Sequence, residues 1–343
     1  MYEQFFGFRE RPFDLTPNPR FLVLTDSHQE ALDNLHYGIA SRKGITLLIG
    51  EAGSGKTTVI RAAIDRQLGH VHTVYLPNPT LTRAEFVEML ATQFGLSPKA
   101  AESKSAFLLE FEQLLRARRD RDERTILVLD EAQSMSLELL EEVRLLANVE
   151  TNEDKLVSVI MAGQPELADR LNSPNLRQLK QRVALRCSLR PLSLSETAAY
   201  LAGRIRAAGG VGAQVFTREA VRLIHDAAQG LPRTISVIAD NALLGGFAIG
   251  QRPVDTHVVR EVCRDFDIHA GGVPPALASF ASMRQAEDED AGGPDPRHNG
   301  HAPAPSQGFE RLIERVPAPS PEPVVVTAPP KRRWFSFLRG GGV

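Results

Sequence analysis

Short apolar runs alternate with longer amphipathic stretches over roughly the first 190 positions of the chain. The runs at 45–49, 71–76, 126–129, 156–162 and 184–189 are rich in Ile, Leu and Val and predict strands. Between them, apolar residues spaced three and four apart predict helices over 27–41, 57–67, 83–94, 105–119, 137–147 and 175–182. In the first of these, Ala31, Leu32, Leu35 and Ile39 share one face. Pro77-Asn78-Pro79 breaks the chain after the second strand. Strands that alternate with helices and are apolar on both faces predict an α/β fold, with a mainly parallel sheet covered on both sides.

From Pro191 the strands stop. Helices are expected over 195–208, 217–229, 233–249 and 256–266, and Ser193 with Glu196 fits a capping box at the start of the first. At the other end, 5–24 is rich in Phe and Pro, and Arg11-Pro12-Phe13 and Thr16-Pro17-Asn18-Pro19 cannot lie inside helices. An ordered, irregular lead-in is expected there. Past Ile268 the chain turns to Gly, Pro, Ala and acidic residues, including Glu287-Asp288-Glu289-Asp290, the composition of a disordered linker. The expected organisation is a lead-in and helix packed on the sheet domain (1–43), the sheet domain (44–191), a small all-helical lid (192–268), a linker (269–330) and a tail (331–343).

Composition narrows the class without choosing a function. With 343 residues, 42% hydrophobic and 24% charged, the chain can hold one large core or two domains. A net charge of -2 gives no overall pull toward nucleic acid or an anionic membrane, so such binding would need a local patch. One such candidate, 116–124, interleaves Arg with Asp and Glu and reads as a solvated helix end. No apolar run nears the ~20 residues of a membrane span, and Met1-Tyr2-Glu3-Gln4 lacks the order of a signal peptide, so the expected location is cytoplasmic. Cys187 and Cys263 are too few and too far apart for a zinc or redox motif and are expected to be buried thiols.

Chemistry enters at Gly50-Glu51-Ala52-Gly53-Ser54-Gly55-Lys56-Thr57-Thr58, which fits G-x-x-x-x-G-K-[ST] directly after a predicted strand. Such a loop cradles phosphates with backbone N–H groups, reaches the β- and γ-phosphates with Lys56, and offers the Thr57 hydroxyl to Mg²⁺. Asp130-Glu131 follows the run 126–129. A carboxylate there falls in the same crevice, where Asp130 can hold Mg²⁺ through water and Glu131 can orient or deprotonate an attacking water. An acidic pair after a strand is ordinarily a solvated turn; the loop upstream is what gives this one a second reading.

These two motifs, followed by a helical region containing Gly230-Leu231-Pro232-Arg233, resemble the AAA+ P-loop ATPases over residues 1 to about 268. More narrowly, Tyr2 to Phe8, Arg11-Pro12-Phe13, Pro17-Asn18-Pro19-Arg20, Leu129-Asp130-Glu131-Ala132-Gln133 and Gly163-Gln164-Pro165-Glu166-Leu167 resemble the ExeA/GspA family. The resemblance implies an ATPase using ATP and Mg²⁺, Gln164 as a polar sensor of the γ-phosphate or attacking water, and Arg233 as a second sensor on the lid. It implies a homo-oligomer with an arginine finger drawn from Arg177, Arg182 or Arg186, of which Arg182 is preferred. It offers Asn78 as a restraint on the catalytic glutamate, equally well read as a turn residue. The implied partners are secretion, pilus or polysaccharide-export machinery. The alternative is a DNA-associated transposition regulator similar to TniB and TnsC. The tail, Lys331 to Arg339, mixes basic and aromatic residues suited to a membrane surface or a protein groove.

Overall fold

The computed structural model describes residues 1–15, 21, 23–67, 69–77, 79–152 and 154–268. All of them belong to one compact unit, Met1–Gln285. Asn78, Thr16 to Arg20, the linker and the tail lie outside the described residues.

In chain order the helices and strands are α1 (Tyr2–Phe6), α2 (Asp26–Ala40), β1 (Ile45–Gly50), α3 (Lys56–Asp65), β2 (Val71–Leu76), α4 (Arg83–Phe94), α5 (Pro98–Glu102), α6 (Lys104–Asp120), β3 (Arg124–Leu129), α7 (Leu137–Leu146), β4 (Ser158–Gly163), α8 (Pro165–Leu171), α9 (Arg177–Lys180) and β5 (Val183–Leu189). The helical region follows with α10 (Leu194–Ala207), α11 (Arg218–Ala228), α12 (Pro232–Ala248) and α13 (Thr256–Asp265). The five strands form one parallel sheet in the order β2-β3-β4-β1-β5.

The period of two along each strand sorts the core into two layers. Ile45, Leu47 and Ile49 of β1, Leu127 and Leu129 of β3, and Val159 and Met161 of β4 face α4, α6 and α7. Leu48, Ile126, Val128, Ile160 and Ala162 point the opposite way, against α2 and α3. β1 and β4 are buried throughout and β3 nearly so, as central parallel strands must be. β2 and β5 are edge strands and half exposed, so the expectation of strands apolar on both faces holds for the middle three only. Both cysteines are buried and unpaired, and burial pushes the Cys187 thiol up to about 11.

The lead-in goes elsewhere than expected. Tyr2, Phe6, Phe8, Phe13 and Phe21 share a core with α10 to α13, whereas α2 alone packs on the sheet. The expected packing of 1–43 on the sheet therefore divides at about residue 25, because the large rings of 2–21 meet their apolar partners on the lid helices. Tyr2 also donates a hydrogen bond to Asp240 of α12, and burial raises the phenol's pKa.

Arg204 of α10 clamps this arrangement. Its guanidinium donates to the carbonyls of Pro12 (2.6 Å) and Asp14 (2.9 Å) and to the Tyr200 hydroxyl (2.8 Å). It lies 5.2 Å from the Phe21 ring centroid and 6.0 Å from that of Phe13. Truncation would strand two carbonyls and remove the ring contacts. Arg204→Ala is expected to cost about 3 kcal/mol in urea unfolding, several times the cost of an ordinary surface Arg substitution.

Candidate nucleotide site

Parallel strands bring their C-terminal ends to one edge of the sheet, and the loops leaving β1, β3 and β4 meet there. The β1 loop closes on itself: Ser54 N–H donates to Glu51 C=O at 3.1 Å, and α3 begins at Lys56 with Gly55 as its N-cap. Lys56 is only 5% exposed. Its ammonium donates to the carbonyls of Gly50 (2.9 Å) and Glu51 (3.2 Å), folding the side chain back over the loop. Burial lowers its pKa, opposed by the nearby Glu131 and Asp130 carboxylates. Glu51 and Ala52 form the exposed lip, and Thr58 lines the cleft beside Thr57.

Asp130 is buried at the end of β3 and faces the same loop. Thr57 Oγ1 donates to its Oδ2 at 2.7 Å, and Tyr75 of β2 donates to the same oxygen. Burial, reinforced by that contact, raises the pKa of the Tyr75 phenol. The adjacent Thr57 and Asp130 oxygens are the hard ligands that Mg²⁺ prefers, so the donor set fits this ion.

Glu131 adopts a left-handed backbone (φ 53°), uncommon for a non-glycine residue, which turns the chain sharply off β3. Gln133 Nε2 donates to Glu131 Oε2 at 2.6 Å, and Gln164 Nε2 reaches the same oxygen at 3.3 Å. Gln133 Oε1 accepts the Gln164 backbone N–H at 3.1 Å, tying the ends of β3 and β4 together. Arg170 of α8 donates to the carbonyls of Gln133 and Met135 and fixes that turn. Tyr75, Gln133 and Arg170 carry no role in the sequence reading. The one signal for Gln133 is its position two residues after Glu131.

Arg233 comes from the lid. Gly230 is left-handed (φ 72°), and a Cβ there would sit 2.2 Å from the Leu192 carbonyl, so only glycine lets the α11–α12 turn pass the end of β5. Pro232 then starts α12, and Arg233 N–H donates to Gly53 C=O at 3.1 Å. A Cβ on Gly53 would meet Arg233 Cβ at 2.7 Å, so lid and loop are in direct contact.

Between them lies a cleft of about 410 Å³, lined on one wall by Gly53, Lys56, Thr57 and Glu131 and on the other by Leu15, Phe21, Tyr200, Arg204 and Arg233. A larger hollow of about 720 Å³ opens beside Asp26, Arg190, Glu196 and Asp226, but none of the motif residues enters it. The buried Ser54 hydroxyl has no partner inside the loop. The structure thus brings together Gly50 to Thr58, Asp130, Glu131, Gln164 and Arg233. It leaves Arg182 apart: β5 starts beside the start of β1, with Val183 opposite Ile45, so Arg182 is a strand length, roughly 20 Å, from its own loop. Arg177, Arg182 and Arg186 are all exposed.

A phosphate loop between β1 and α3, an acidic end to the neighbouring β3 and a helical lid leaning on the loop define a P-loop protein of the AAA+ class. Residues 39–171 match the AAA domain family. Over 255 residues the chain is 40% identical to General secretion pathway protein A of Aeromonas hydrophila, and it belongs to that protein's family. The match takes in 74% of this chain and 46% of that protein, so the chain spans about half the length of its relative. The same fold occurs in CDC6P of Pyrobaculum aerophilum (18% identity, TM-score 0.57, covering 78% of this chain and 73% of that one). It occurs also in ORC2 of Aeropyrum pernix, solved as ADPNP–ADP complexes (19% identity, TM-score 0.55, 74% and 71% covered).

Proposed function

We propose that this chain binds and hydrolyses ATP, as a homo-oligomer whose sites are completed by a neighbouring subunit, and that turnover drives or regulates assembly of a cell-envelope secretion machine. The observation that carries the ATPase step is the convergence of Lys56, the Thr57–Asp130 pair and the Glu131–Gln164 pair on one cleft. Lys56 would leave the Gly50 and Glu51 carbonyls for the β- and γ-phosphate oxygens, and the loop N–H groups would take the remainder. Thr57 and Asp130 would hold Mg²⁺, which neutralises phosphate charge when bound.

Glu131 would take the proton of the attacking water on the carboxylate oxygen that Gln133 and Gln164 leave free. Gln164 sits where it can sense whether the γ-phosphate is present, and Arg233 where its guanidinium can close over the phosphates from the lid. The secretion role rests on the 40% identity to a protein of that name; on this reading the activity would lie in the cytoplasm beside an export machine in the envelope. Among the described residues, no helix is long and apolar enough to cross a membrane.

The distance of Arg182 from its own loop supports a role in trans. ATP turnover per subunit of the purified chain should therefore rise with protein concentration. Mixing Arg182→Ala with Glu131→Gln subunits should restore turnover that neither shows alone, because the first supplies an intact cleft and the second an intact finger. No recovery at any ratio, with assembly intact, would remove Arg182 from that role, and absence of ATP turnover under every condition would remove the hydrolase assignment.

A further inference from the structure

His28 lies in the first turn of α2, 4% exposed, and touches the phosphate loop from behind. Its Nε2 is 3.0 Å from the Ser54 carbonyl, and its Nδ1 is 2.7 Å from the Thr25 hydroxyl. A carbonyl only accepts, so Nε2 must carry the proton. Burial lowers the ring's pKa against the opposing pull of the Ser54 contact and Glu196, leaving the ring neutral at pH 7 and Nδ1 an acceptor for the Thr25 proton. Thr25 is the N-cap of α2, yet its side chain makes no cap hydrogen bond; its hydroxyl is turned to the His28 ring instead.

The Ser54 carbonyl belongs to the same trans peptide plane as the Gly55 N–H, so the two point in opposite directions. Holding the carbonyl outward on His28 turns the Gly55 N–H inward, and Gly55 lines the cleft. Gly55 is the N-cap of α3, so this N–H is not spent inside the helix and is available to an anion.

On the premise that the cleft binds ATP, we propose that His28 is a positioning residue that sets the Gly55 N–H for phosphate binding, with the Thr25 hydroxyl fixing its tautomer. His28 touches no reacting atom. Its effect belongs in nucleotide affinity rather than in the chemical step.

The test compares ATP binding and steady-state turnover in the full chain carrying no substitution, His28→Leu, His28→Gln or Thr25→Val. His28→Leu keeps the volume and removes the donor; its Kd and KM for ATP should rise about tenfold, with kcat changed less than about twofold. His28→Gln restores an N–H near the Nε2 position and should return affinity to within about threefold of the unsubstituted chain, a rescue that packing alone would not give. Thr25→Val leaves the ring in place without its Nδ1 partner and should weaken ATP binding about two- to fourfold; it carries the test if His28→Leu fails to fold. Imidazole ¹⁵N spectra should show the Nε2-protonated ring before any nucleotide is added.

Unchanged affinity in a folded His28→Leu chain, a Gln variant as weak as Leu, or an Nδ1-protonated ring would each overturn the assignment while leaving the ATPase reading intact. An unsubstituted chain that binds no ATP would overturn both.

Discussion

Glu131→Gln is expected to bind ATP as the unsubstituted chain does and to lose on the order of 10²–10⁴-fold in kcat, the usual contribution of a positioned general base. The substitution preserves shape. The Gln amide oxygen can still accept from Gln133 and Gln164, which now meet on Glu131 Oε2 at 2.6 and 3.3 Å, so the turn off β3 should survive. What disappears is the basic oxygen facing the cleft. Single-turnover hydrolysis, read beside the Kd of a fluorescent ATP analogue, separates the two effects. Equal turnover in the two chains would show that the water is activated without Glu131.

Lys56→Ala should act on the earlier step. The ammonium is the loop's only side-chain cation buried in the cleft wall, and the phosphates would replace two neutral carbonyl acceptors with charged ones. Its loss should weaken ATP binding at least about 100-fold, near 2.7 kcal/mol. Thermal melting gives the check: saturating ATP should raise the midpoint of the unsubstituted chain and leave that of Lys56→Ala where it was. A Lys56→Ala chain with an unchanged Kd would mean that the nucleotide is held elsewhere, for which the hollow beside Arg190 and Glu196 would be the next place to look.

The sheet was legible because its three central strands are nearly contiguous apolar runs, and a parallel sheet follows from runs separated by helices long enough to cross back. β2, α4 and the Ser193–Glu196 capping box fall where local pattern puts them. The failures share a physical cause. α1 and α5 are five residues each, too short for a periodic signal, and α8 was hidden in a stretch expected to turn helical only at 175. Gln164-Pro165-Glu166 does carry a start signal there, with Pro at the first helical position.

The site was half legible. Gly50 to Thr58 and Asp130-Glu131 are contiguous motifs whose chemistry is local to the sequence. The contacts of His28 with Ser54, Tyr75 with Asp130 and Gln133 with Gln164 join residues 26 to 55 positions apart and depend on strand order. Strand order has no local code. Nor did local pattern show that Phe6 and Phe13 would side with α10 and α12 rather than with the sheet, since an aromatic ring is apolar in either company.

That division of the lead-in has an energetic consequence. Tyr2, Phe6, Phe8 and Phe13 belong to the lid core, α2 packs on the sheet, and the chain returns to the lid after β5. The helices of 192–268 therefore do not hold a complete core by themselves: a piece cut out at 190 would lose those four rings and leave Leu201, Ile235 and Leu243 facing the space they fill.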